Sequence, residues 1–153
     1  MVDHGYGWMM KVTHFIDKVD DARIVAAIAA AERITSGEIR VYISHQARHD
    51  ALAAARSRFL SLGMHKTRHR NAVLIYLVPR THQFALWGDA AIHEKCGEKF
   101  WAEITATIGP LFRGGLHTEA IEHAIKEIGA ALTRHFPRGP DDSNELSNEI
   151  AVD

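Results

Sequence analysis

The sequence predicts an α/β fold: an αβα sandwich whose mixed sheet combines a parallel βαβ unit with an antiparallel hairpin strand, with helices on both faces and further helices at the C-terminal end. Three observations predict it. From Glu38 to Ser44, Ile39, Val41 and Ile43 alternate with Glu38, Arg40 and Tyr42, the period-two pattern of a strand with one covered face. Ala72 to Val78 is an unbroken apolar run of strand length with β-branched and aromatic members, the pattern of a central strand covered on both faces. The segments around these two strands repeat their apolar residues at helical spacing.

In chain order, Asp20 and Asp21 stand ahead of Ile24, Ile28 and Ala31. This spacing predicts a helix from about Asp21 to Ile34 behind an acidic N-cap. Gly37 is read as the left-handed residue through which the chain leaves that helix. After the first strand, Asp50 caps a second, alanine-rich helix over residues 51–60, closed by Gly63. Pro79 to His82 forms a turn, and residues 83–87 return as the hairpin partner of the central strand, ending at Gly88. A short helix near Ala91 to Cys96 follows. Two amphipathic helices come next, one striped by Trp101, Ile104, Ile108 and Leu111, the other by Leu116, Ile121, Ile125, Ile128 and Leu132. The domain therefore occupies residues 20–136, behind an N-terminal extension of residues 1–19. From Pro137 the composition turns polar and acidic with little to bury, so residues 137–153 are expected to be a disordered acidic tail.

Composition limits the function. The chain has 153 residues, 46% of them hydrophobic, which suits one domain with a good core. Eighteen basic residues against nineteen acidic ones give a formal net charge of −1, so no overall field draws nucleic acid or an acidic membrane. Cys96 is the single cysteine. It permits no internal disulfide, suits a reducing compartment and reads as a small packed side chain. The first ten residues lack a basic segment followed by an apolar run, and no stretch approaches the roughly 20 apolar residues of a membrane span. A cytoplasmic protein is expected, as a monomer or weak homo-oligomer, with a protein partner of unknown kind. His65 and His69 stand four apart but within a basic loop, and read as solvated loop histidines.

Topology brings chemistry together. Two parallel strands that begin at one edge, and an antiparallel strand that finishes there, collect Ser36, Gly37, Glu38 and Arg40, then residues 67–71 with Arg70 and Asn71, then Gly88 and Asp89. The helix after Asp89 adds N-terminal amides suited to an anion. Such a rim fits a divalent cation held by Glu38, Asp89 and Asn71, or a phosphate held by Arg40, Lys66 and Arg70. The plainer alternative pairs Glu38 with Arg40 or Arg70 and leaves Asp89 as a helix cap. Trp87, Phe100 and Trp101 read as core packing. No catalytic nucleophile is identified.

Four segments carry a family resemblance: Thr35-Ser36-Gly37-Glu38-Ile39-Arg40-Val41, Arg70-Asn71-Ala72-Val73-Leu74-Ile75, Phe84-Ala85-Leu86-Trp87-Gly88-Asp89 and Ile108-Gly109-Pro110-Leu111-Phe112-Arg113. In this order they resemble the TPM domain, over about residues 20–136. The resemblance implies a sheet sandwiched by helices. It also implies binding of calcium or another divalent ion such as magnesium, and for one plant member an acid phosphatase activity. Members usually read Gly-Tyr-Gly followed by acids at the strand end, where this chain reads Trp87-Gly88-Asp89 with Glu94 beyond. The resemblance thus leaves Asp89 and Glu94 as the acids of that region, and with Glu38 from the rim the candidate metal set is Glu38, Asp89 and Glu94. The function expected is a binding or accessory module whose polar rim takes an ion, an anion or a protein segment. The alternative is a divalent-metal-assisted phosphatase with His93 handling a proton.

Overall fold

In the computed structural model, residues 2–4, 19–140 and 142–153 are described; most of the expected N-terminal extension lies outside them. The elements run β1 (Val2–His4), α1 (Asp21–Glu32), β2 (Glu38–Ile43), α2 (Ala51–Ser61), β3 (Ala72–Val78), β4 (Gln83–Gly88), α3 (Ala90–Arg113), α4 (His117–His135) and β5 (Ala151–Val152). The sheet order is β1-β4-β3-β2-β5. β2 and β3 pair in parallel from Glu38↔Ala72, and β3 pairs antiparallel with β4 from Val73↔Gly88. The βαβ unit and hairpin strand predicted from patterning are thus present, and β3 is central and buried along all seven residues.

Alternation of side chains divides the core into two layers. Ile39, Val41, Ile43, Val73, Ile75 and Leu77 pack with α1, α3 and α4. Tyr42, Leu74, Tyr76 and Val78 pack with Ala51, Ala55 and Phe59 of α2. The second face of β2, expected to be open, is covered: Glu38 and Tyr42 are buried. Tyr42 stacks on Tyr76 at 5.4 Å, and the Arg58 guanidinium lies 4.8 Å above its ring. A strand that looks half-polar is covered here because Tyr42 supplies an apolar ring, and Glu38 finds a partner described below.

The predicted caps are real. Asp20 accepts from the Arg23 amide and Asp50 from the Ala53 amide, each at 3.1 Å. Gly63, with φ 71°, closes α2 as read. Gly37 differs: it is not left-handed, and α1 ends before it. A Cβ at Gly37 would stand 2.6 Å from Leu132 Cδ2, so glycine is needed there to let α4 approach. The predicted short helix and the first amphipathic helix join as α3, broken at Gly97, whose φ of 77° and ψ of 172° are non-helical.

Residues 142–153 differ from the disordered tail expected. They run back over the sheet as a strap. The Glu145 amide donates to Glu38, Leu146 and Ile150 pack against the two core layers, and β5 pairs in parallel with the end of β2 through Tyr42↔Ala151 and Ile43↔Val152. The composition is polar because only these few side chains are buried, while the acids serve as acceptors for backbone amides and arginines.

Candidate functional site

The three rim segments meet as topology requires. Asn71 Nδ2 donates to Ser36 Oγ at 3.1 Å. The Asp89 amide donates to Ala72 O at 2.9 Å, and the Ala91 amide to Arg70 O at 3.1 Å. Their polar side chains nevertheless sort into two compartments.

The first is a buried carboxyl pair. Glu32, at the end of α1, accepts from the Ile39 amide at 2.7 Å. Glu38 accepts from the Glu145 amide and faces Glu32. Burial is the main cause that pushes Glu32 up to about 8 and Glu38 up to about 6, and their mutual contact favours the proton on Glu32. Glu32 Oε1 and Glu38 Oε2 are buried without a hydrogen-bond partner, and a proton held by the pair lowers the cost of burying two carboxylates side by side. Neither Arg40 nor Arg70 pairs with Glu38 among the described residues. Arg40 Nε and Asn71 Oδ1 are buried without a partner.

The second compartment is a cleft of about 370 Å³ at the end of β4, between α2 and the start of α3. Arg70 Nε and Nη2 donate to the two oxygens of Asp89, each at 2.7 Å. Asp89 also accepts from the Ala90 amide at 2.8 Å, so the cap reading was right and the ion pair comes on top of it. Two of the amides expected to serve an anion are already used, Ala90 on Asp89 and Ala91 on Arg70 O. Among the side chains that line the cleft, Arg56 and Arg70 are basic and Asp89 and Glu98 acidic, with His65, His93 and Trp87 in the wall. Trp101 Nε1 donates to His93 Nδ1 at 3.1 Å, which leaves Nε2 as the proton-bearing nitrogen of the neutral ring; it stands 3.3 Å from Glu98.

Arg70 itself has φ 54°. Non-glycine residues rarely adopt this left-handed conformation, and where they do it is held by the surroundings. Here the Arg70 amide donates to Thr67 O and its carbonyl accepts from Ala91. The guanidinium is half-exposed and Asp89 uses only two of its five N–H groups.

Residues 9–131 match the model of the TPM domain. The chain belongs to the TPM domain family. An NMR structure of the BA42 protein from the psychrophilic bacterium Bizionia argentinensis is similar at 34% identity and TM-score 0.80, covering 87% of this chain and 92% of that one. No curated protein matches.

For a divalent cation, this TPM domain offers a poor fit at the candidate set Glu38, Asp89 and Glu94. Both Asp89 oxygens hold Arg70, Glu38 is committed to Glu32 and Glu145, and Glu94 is exposed on α3. Among the described residues, no group of three or more His, Cys, Asp or Glu side chains is arranged to hold a metal ion. Gly88 belongs to the site through space: a Cβ there would stand 2.5 Å from the Trp101 ring, so glycine lets the indole reach under the strand end. The sequence reading did not single out Glu32 or Arg56, and it took His65 for a solvated loop histidine and Trp87 for core packing, whereas both line the cleft. Glu32 carried a faint signal, an acid on the inner side of the apolar stripe of α1.

Proposed function

We propose that this TPM domain is a binding module that takes a small anionic group, of the phosphate or carboxylate class, in the cleft beside Arg70. The observation that carries the reading is Arg70: a strained left-handed backbone and a bidentate contact to Asp89 hold its guanidinium in one place with N–H groups to spare. Preorganised, charge-assisted donors of this kind favour planar or tetrahedral oxyanions. Arg56 and His65 line the same space, and Trp87 gives it an aromatic wall.

Calorimetric titration with inorganic phosphate and phenyl phosphate tests it. Binding should weaken at least about tenfold in Arg70→Ala, the usual scale for losing one charged hydrogen-bonding partner. Equal affinity in wild type and Arg70→Ala would remove the cleft as the site.

Hydrolysis of a phosphoester in the same cleft is a second reading, favoured by His93 in the cleft wall, whose ring Trp101 fixes through Nδ1 and whose Nε2 stands 3.3 Å from Glu98. Turnover of p-nitrophenyl phosphate that falls at least about tenfold in His93→Gln would support it, since one acid–base group contributes about a hundredfold or more.

A further inference from the structure

The strap lies beyond the matched TPM region, which ends at residue 131, and it occupies the edge of β2 in a particular way. Only two of its residues pair as strand. Beyond them the Asp153 carboxylate fills a built pocket at the end of β2: Ser44 Oγ donates to it at 2.7 Å, the His45 amide donates to its other oxygen, and the Arg58 guanidinium stands 3.8 Å away. The Asp153 side chain is only 9% exposed. Burial pushes its carboxyl up, yet the His45 amide, the Ser44 hydroxyl and Arg58 outweigh this and hold it below the usual carboxylate range.

Between these anchors the strap is held by the Glu145–Glu38 bond and the packing of Leu146 and Ile150, and most of its other side chains face outward. Ser143, Asn144, Glu145, Ser147 and Glu149 are exposed, and Val152 is 51% exposed. Residues 142–153 carry Asp142, Glu145, Glu149 and Asp153 and no basic residue, and they lie against Arg58, Arg68 and Arg138. A sheet edge, a pocket of donors for one carboxylate and a basic surround are the parts of a β-augmentation site.

We propose that the edge of β2 is a docking groove for an extended acidic peptide of a partner protein, which the chain's own residues 145–153 occupy as an exchangeable internal ligand. The partner segment adds a strand along Tyr42 and Ile43, seats an apolar side chain where Ile150 packs and places a carboxylate between Ser44, His45 and Arg58. The tether that joins α4 to the strap holds the internal ligand at millimolar effective concentration. A partner therefore binds weakly until the strap is displaced, which makes the strap a threshold for binding. This inference stands apart from the Arg70 cleft and survives failure of that reading.

The probe is a fluorescent, C-terminally amidated peptide of residues 145–153, titrated with the full chain and with its Asp153→Lys variant, which turns the internal ligand out by charge reversal against Arg58. The peptide should bind the variant at least about tenfold more tightly than wild type, as expected when a tethered competitor is removed. It should lose that affinity when its own last residue is changed to lysine, and when the variant also carries Arg58→Glu. Amide spectra of both variants identify any that fails to fold; as a second measurement, millimolar peptide added to wild type should shift the signals of Ser44 and His45. Equal binding to wild type and variant, indifference to the last residue, or no shift at Ser44 and His45 in wild type would overturn the proposal. A concentration-dependent dimer of wild type in solution would overturn it too, by assigning the groove to the strap of a second copy.

Discussion

Arg70 and the Glu32–Glu38 pair are the residues at which the fold stores free energy. Glu32 and Glu38 titrate above ordinary carboxyls because burial penalises their charged forms. From about pH 4.5 upward the unfolded chain binds fewer protons at these groups than the folded one, so stability falls as pH rises toward about 8. The loss should be on the order of 1–3 kcal/mol between pH 5 and pH 8. Urea denaturation at the two pH values checks it, and Glu32→Gln, which keeps one hydrogen-bonding proton in the pair, should flatten the dependence. Asp142 and Asp153 act oppositely. Their carboxyls are held low, so their contribution is present at neutral pH and lost below the usual carboxylate range as the strap is released. At Arg70, replacement by glycine removes the backbone strain together with the guanidinium. Arg70→Gly should therefore melt at no lower temperature than Arg70→Ala while binding anions equally poorly; a variant that melts lower would mean the left-handed turn carries no strain. That turn was not legible in the sequence, because nothing in His69-Arg70-Asn71 encodes a positive φ on an arginine. Asp89 was legible in part: its place before a helix suggested the cap, and only the register of β3 against β4 brings Arg70 to it.

Among the elements, β2, β3, β4 and the helices were readable because each repeats its apolar residues at the period of its own geometry. β1 and β5, three and two residues long, are too short to show a period, and their pairing is set by the edges they join. The strap was misread for a related reason: a composition count weighs every polar residue, while the fold uses only Leu146, Ile150 and a few acceptors. The break in α3 is also a property of one residue. Gly97 has φ 77° with ψ 172° and a Cβ there would meet nothing within 4 Å, so Gly97→Ala should cost backbone strain alone, about 1–3 kcal/mol, read as a lower denaturant midpoint at unchanged slope. Gly88→Ala should cost more, because the Cβ meets the Trp101 ring; equal losses at both positions would contradict the packing reason given for Gly88.

On the scale of the whole molecule, the sheet brings three distant segments to one rim, which topology alone predicted. What topology could not say is how the side chains divide there. The parallel strands send Glu38 toward Glu32 and the strap, while the turn at Arg70 and the cap at Asp89 lean toward α2 and open the cleft. A single polar rim thus becomes a buried acid pair on one side and a cleft lined by arginine, histidine and tryptophan beside the Arg70–Asp89 pair on the other. Amide-resolved titration of the full chain with phosphate and, separately, with calcium distinguishes that division from a shared metal site most directly. Phosphate should move the signals of Arg70, Gly88 and Ala90 while calcium leaves Glu38, Asp89 and Glu94 unmoved; calcium shifting those three together, with phosphate moving nothing around Arg70, would contradict it.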